Sequence, residues 1–219
     1  VKKQSRFSGL LHHWETHYKP AAFALLKARD TNPVTARRYE IVSVGADWTS
    51  NENILGYPNG LDAESYQSTA ALELILRAKE DSDHPHFLIL DEMNLSHVER
   101  YFADLLSAIE SGEQIPLHSG GPRRSGDRAV PHSVTVPDNL FIVGTVNIDE
   151  TTYMFSPKVL DRANVLEFRM TSAELSAFLN DPLKPNLHKI GGEGATYGKQ
   201  FVDAARVSTE MPKRWSGDQ

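Results

Sequence analysis

From Tyr39 onward the sequence alternates short, almost wholly apolar runs with helical periodicities, and this alternation most restricts the folds open to it. Strands that read as continuous apolar runs, rather than as in-out alternation, are covered on both faces, as in a parallel sheet flanked by helices. The strand candidates are 39–44, 86–90, 140–146 and 164–168. Between the first two, 68–79 is rich in Ala and Leu and predicts a helix. After the second, Val98, Tyr101, Phe102, Leu105, Leu106 and Ile109 share one face of a longer helix. Ser96-His97-Val98-Glu99 offers that helix a capping box.

Composition narrows the class further. At 219 residues, 40% hydrophobic and 24% charged, the chain fits one globular α/β domain, or one domain with part of a second. Its 23 Lys and Arg stand against 29 Asp and Glu, a net charge of −6, which excludes a global basic field for nucleic acid. The absence of cysteine excludes disulfides and thiolate metal sites. No apolar run approaches the roughly 18 residues that span a bilayer, and Val1-Lys2-Lys3-Gln4 opens no signal peptide. The expectation is a soluble, cytoplasmic protein with no membrane partner.

Three regions are expected. Residues 1–38 read as a helical segment and basic linker, with apolar positions at Leu10, Leu11 and Trp14 and then across 21–26. Residues 39–170 form the α/β core. Residues 171–219 begin a C-terminal helical lid that is incomplete, with a short helix capped by 171–174 and a loop-like stretch at 181–199. Within the core, 115–117 and 133–136 bracket a Gly, Arg and Ser-rich stretch that predicts an inserted β-hairpin with a mobile tip.

The chemistry concentrates at strand ends. His86-Phe-Leu-Ile-Leu-Asp91-Glu92 is an apolar strand that stops at two adjacent carboxylates, putting them at the carboxyl edge where open α/β sheets bind ligands. In a nucleotide hydrolase the first holds Mg²⁺ through its water shell and the second polarises the attacking water. Taken alone, the pair reads first as a solvated pair starting a turn, and the context has to decide. The strand 140–146 leads into Asn147, an amide that can bond a γ-phosphate oxygen and the lytic water, or close the strand as an Asx turn. In 156–163, Arg162 could reach a neighbouring subunit's nucleotide as an arginine finger, or form an ion pair with Asp161 or Glu167.

The ordered set Tyr39-Glu-Ile-Val-Ser-Val, Asp47-Trp-Thr-Ser-Asn-Glu-Asn-Ile-Leu-Gly-Tyr57, Leu90-Asp-Glu-Met-Asn-Leu95, Thr145-Val-Asn-Ile-Asp149 and Leu160-Asp-Arg-Ala163 resembles the McrB-type branch of AAA+ proteins across roughly residues 39 to 170. That branch contains the GTP-driven motors of methylation-dependent restriction systems. The resemblance implies Mg²⁺-dependent ATP or GTP hydrolysis in a homo-oligomeric ring, with DNA and a nuclease subunit as partners. By the same carry-over, Asp91 and Glu92 are Walker B, Asn147 is sensor 1 and Arg162 is the candidate finger. A MoxR-like or midasin-like remodelling ATPase and a degenerate, non-catalytic assembly module are the alternatives.

One part of the pattern is missing. A G-x-x-x-x-G-K-[ST] loop should precede Tyr39, because its backbone N–H groups and lysine hold the phosphates. Residues 1–38 contain one glycine, Gly9, and no Gly-Lys pair. Gly121-Pro-Arg-Arg-Ser-Gly126 and Gly194-Ala-Thr-Tyr-Gly198-Lys199 imitate the loop without meeting its spacing and sequence. The fold expected is therefore a mostly parallel AAA+ sheet without its phosphate-loop strand, inactive alone, as in a truncated product of a longer protein. In AAA+ sheets that strand lies between the sensor strand and the final strand. Either 21–26 should fill the gap, or the final strand should shift to pair with the sensor strand.

Smaller features carry weaker expectations. Arg123, Arg124 and Arg128, with His118 and His132, make a local basic cluster that suits a phosphate backbone, or a solvated loop tip. His12, His13 and His17 read as surface histidines before metal ligands. Trp48 is expected to pack beneath the turn at Ile54-Leu55-Gly56.

Overall fold

The computed structural model describes residues 7–11, 38–146, 153–167, 172–180 and 198–206. Its centre is a five-stranded sheet, every neighbouring pair parallel. In chain order the elements are β1 (Phe7–Leu11), β2 (Tyr39–Ser43), α1 (Glu52–Leu55), β3 (Tyr57–Pro58), β4 (Tyr66–Gln67), α2 (Ala70–Glu80), β5 (His86–Asp91) and a 3₁₀ turn at Met93–Leu95. Then follow α3 (Val98–Tyr101), α4 (Ala103–Ser111), β6 (Ile115–Pro116), β7 (Arg123–Ser125), β8 (Arg128–Val130), β9 (Ser133–Val134) and β10 (Leu140–Val146). The last elements are α5 (Pro157–Leu160), β11 (Ala163–Glu167), α6 (Ser172–Asn180) and α7 (Gly198–Arg206). Sheet order is β11-β1-β10-β5-β2.

The central strands form where the apolar runs predict them. Leu88 and Leu90 of β5 and Leu140 and Ile142 of β10 are at most 1% exposed, since helices cover the sheet. Helix α2 starts at Thr69, whose hydroxyl oxygen accepts from the Leu72 amide at 3.1 Å, satisfying one of the amides that a helix start leaves unpaired. Its buried residues include Leu72, Leu74, Ile75 and Leu76, each contributing about 1.5–3 kcal/mol by leaving water. Gly56 ends α1 at φ 81°, and a Cβ there would lie 2.0 Å from the Gln67 carbonyl oxygen, so the β3–β4 loop closes over a position only glycine can occupy.

The N-terminal region departs from expectation. Phe7–Leu11, read from sequence as part of a helical segment, is a strand, and it occupies the place between β10 and β11. The fold therefore does not lack a strand at that place, and β11 does not shift to pair with β10; residues 21–26, expected as one way to fill it, lie outside the described residues. The misreading arose because Leu10, Leu11 and Trp14 suit a helical face, whereas pairing with two parallel neighbours satisfies the backbone of a five-residue segment that has little periodicity of its own. His12, His13 and His17 lie outside the described residues, as does most of the basic linker.

The long helix expected over 98–109 is two helices. The chain turns at Phe102 (φ −113°, ψ 3°), and both Tyr101 and Phe102 are fully buried. Successive residues on an unbroken helix diverge by about 100°, so the turn lets two adjacent aromatic rings enter the core. The capping box is not made either. Ser96 Oγ donates to the Trp48 carbonyl at 2.7 Å, and Glu99 Oε1 accepts from the Ser156 amide at 2.9 Å. Trp48 stands edge-on to Tyr101, with ring centroids 5.3 Å apart. At the other end of the chain, α7 includes Gly198 and Lys199, which read as loop; Val202 is buried and Arg206 donates to the Ser82 carbonyl at 2.7 Å.

The inserted hairpin is present, and its strands pack against the rest of the domain. β6 pairs with β9, and β7 with β8, all antiparallel. The Arg124 amide donates to the Glu64 carbonyl at 2.7 Å, and Ser68 and Ser125 hydroxyls meet at 2.7 Å, so the hairpin lies against the β3–β4 loop. Among the described residues no helix is long and apolar enough to cross a membrane.

Candidate functional site

The acidic pair sits where the parallel register brings β2, β5 and β10 to one edge. β5 stays paired with β2 through Ser43 and Asp91, and with β10 through Gly144 and Leu90. β10 runs on past Gly144, which sets Thr145 beside Asp91. Its hydroxyl donates to Asp91 Oδ1 at 2.9 Å, and Thr145 Oγ1 itself accepts from the Glu92 amide at 2.9 Å. Asp91 is 5% exposed and Thr145 is 4% exposed. A carboxyl group so far from water needs hydrogen-bond partners, and the hydroxyl is one.

Glu92 is the one non-glycine residue with positive φ among the described residues (φ 54°, ψ 46°). A left-handed conformation costs an L-residue about 1–2 kcal/mol, and such strain collects at functional sites. Three neighbouring contacts hold it. The Val44 amide donates to the Asp91 carbonyl at 2.9 Å, and the Leu95 amide donates to the Glu92 carbonyl at 2.8 Å. Met93, fully buried, rests on Gly144, where a Cβ would come within 2.5 Å of its sulfur. The chain thus leaves β5 by turning sharply across the end of β10, and Glu92 is half-buried at the corner.

The segment beyond β10 returns to the same corner. The Tyr153 amide donates to the Asn94 carbonyl at 2.9 Å, its ring lies 3.8 Å from that of His97, and Ser156 bonds Glu99. Burial alone would raise the Glu99 carboxyl, but Ser156, whose amide donates to it, and the nearby His97 hold it below the usual carboxylate range. Tyr101, whose hydroxyl donates to the Met93 carbonyl at 2.7 Å, has its ionisation pushed far up by burial and serves as a donor only.

Of the residues selected from sequence, Asp91 and Glu92 are together at the sheet edge. Asn147 lies outside the described residues, two positions beyond Thr145. Arg162 follows α5 and pairs with Glu110, a partner different from either expected one, and also donates to the Lys158 carbonyl. The basic cluster is turned inward. Arg123 Nη1 donates to the carbonyls of Asn59, Asp62 and Ser65 at 3.4, 3.3 and 2.9 Å. Arg128 pairs with Glu73 at 3.1 Å and with Glu80 on α2, while Arg124 is exposed and donates to the Asp127 carbonyl. Thr145 was not selected, because in Gly-Thr-Val it reads as an ordinary β-branched strand residue.

No protein-family model matches the chain, and no curated protein matches it. Among the described residues no group of three or more His, Asp or Glu is arranged to hold a metal directly. An ion held through water by one carboxylate does not require such a group.

Proposed function

We propose that this chain is the α/β part of an AAA+ nucleoside-triphosphate hydrolase resembling the motor subunit of methylation-dependent restriction systems. One observation carries the reading: Asp91 and Glu92 at the carboxyl edge of a parallel sheet, the first oriented by Thr145 and the second held in a left-handed conformation. The sheet order supports it, since a strand lies between the sensor strand β10 and the final strand β11, as the resemblance implies.

In this reading Mg²⁺ with ATP or GTP supplies charge neutralisation and the scissile bond. Asp91 would hold the ion through its water shell, Glu92 would polarise the attacking water, and Asn147 would bond that water. Arg162 acts on a neighbouring subunit once released from Glu110. The full ring would engage DNA and a nuclease subunit in the cytoplasm, with Arg124 as the basic residue of the hairpin still exposed to a phosphate backbone. The donor set fits a water-bridged ion. It does not fit tight triphosphate binding, because β1 is followed by His12-His13-Trp14-Glu15 rather than by a phosphate loop. That sequence favours a second reading, a non-catalytic assembly module that keeps the acidic corner as architecture.

Mn²⁺ titration of the isotope-labelled chain separates the two. The hydrolase reading expects paramagnetic broadening of the Asp91, Glu92 and Asn147 amides that disappears in Asp91→Asn. Broadening confined to other carboxylates, with the Asn147 amide untouched, would sink it.

A further inference from the structure

The conformation of the acidic corner depends on a side chain that belongs to neither carboxylate. The roles of the Thr145 hydroxyl follow from its partners: a backbone amide can only donate, so the hydroxyl oxygen receives it and the hydroxyl proton is left for the carboxyl. The hydroxyl proton therefore goes to Asp91 Oδ1, and a lone pair receives the Glu92 N–H. Both bonds are 2.9 Å, and Thr145 is 4% exposed, so water competes poorly for either. The Glu92 bond bears on the peptide whose φ is 54°, a conformation L-residues seldom adopt without outside support. Beside the contacts of Val44, Leu95 and Met93, this side-chain support comes from a different strand, the one that leads into Asn147.

We propose that Thr145 is the positioning residue of the acidic pair, fixing the Asp91 carboxylate and the left-handed Glu92 peptide through one hydroxyl. Displacement of β10 along β5 then alters both carboxylates together. The meaning of this coupling for catalysis rests on the hydrolase reading. The coupling itself does not, because it is a statement about two hydrogen bonds and one backbone conformation. Valine would keep the shape of Thr145 but remove the hydroxyl bond from both the Asp91 carboxylate and the Glu92 amide, whereas serine would keep both bonds.

The test is amide hydrogen exchange of the labelled chain, with no metal or nucleotide added. Thr145→Val is expected to speed exchange of the Glu92 amide about tenfold, the size of one lost hydrogen bond, and to shift the Asp91 carboxylate carbon resonance. The Leu88 and Ile142 amides should keep their rates. Thr145→Ser should restore slow exchange at Glu92. Unchanged Glu92 exchange in the valine variant, or failure of serine to restore it, overturns the proposal. If the valine variant does not fold, the unsubstituted chain decides: a slowly exchanging Thr145 hydroxyl proton close to the Glu92 amide proton is expected, and a rapidly exchanging one overturns the proposal. Slow Glu92 exchange combined with no Mn²⁺ effect at the corner would reject the hydrolase reading and leave the positioning role standing.

Discussion

Arg162 is held by Glu110 through two guanidinium nitrogens, Nε lying 3.1 Å from Oε2, which ties the turn after α5 to the end of α4. The side chains are 29% and 62% exposed, so the pair is solvated and weakly stabilising. Glu110→Gln is expected to change unfolding free energy by less than about 1 kcal/mol in urea denaturation. A larger loss would make Arg162 a structural brace and count against its service to a neighbouring subunit.

The isolated chain should not bind ATP or GTP tightly, because no backbone cradle or lysine of the phosphate-loop type accompanies β1 in the sequence. Calorimetry with Mg²⁺ present is expected to give no micromolar binding for either nucleotide. Micromolar affinity would mean that another part of the chain grips the phosphates.

Arg123 and Arg124 are neighbours with different work. Arg123→Ala removes a guanidinium shared by three carbonyls of the β3–β4 loop and is expected to cost about 1–3 kcal/mol. Arg124→Ala is expected to stay within about 0.5 kcal/mol, as an exposed substitution does. Equal effects in chemical denaturation would contradict the inward brace.

Gly56→Ala tests the loop closure directly. The added methyl meets the Gln67 carbonyl oxygen at 2.0 Å in a backbone conformation of φ 81°, so a loss above about 2 kcal/mol is expected. A melting temperature unchanged by the substitution would show that the β3–β4 loop can move aside.

The opposite end of the sheet predicts an acid response. His86 is 2% exposed; burial, aided by Arg38 and Arg77, lowers its pKa from 6.5 despite the His84 carbonyl and Asp81. The unfolded chain then binds more protons below pH 6.5, so stability is full above that value and declines as pH falls toward the lower folded value. Burial alone would raise Asp81, but the His84 hydrogen bond and the charges of His84, Arg38 and His86 hold it below 3.8. Its contribution, present above 3.8, is lost as pH falls through the lower folded value. Melting temperature against pH should therefore begin to fall near 6.5, and His86→Gln should flatten that first decline.

Much of the sheet was legible because its central strands are buried on both faces. Runs such as Leu140–Val146 have no polar alternation to confuse them with exposed strands. β1 was not, because Phe-Ser-Gly-Leu-Leu acquires strand structure from neighbours more than 100 residues away in sequence. Asp91 and Glu92 could be chosen from their place at a strand end. The role of Arg123 could not, since its partners are main-chain carbonyls, one of them 58 residues distant, and carbonyls leave no mark in a sequence. The break at Phe102 likewise answers to the burial of Tyr101 beside it and not to any helix-ending residue.

The hydrogen bond from Tyr153 to Asn94 gives the stretch after β10 two fixed endpoints. Val146 is anchored by the sheet, and Tyr153 by the turn that follows Glu92. The chain must therefore pass from the end of the sheet to that turn within the few residues between them. Shortening or lengthening that span by even one residue should therefore be tolerated far less readily than an insertion at the Gly120-Gly121 turn, where open space surrounds the chain.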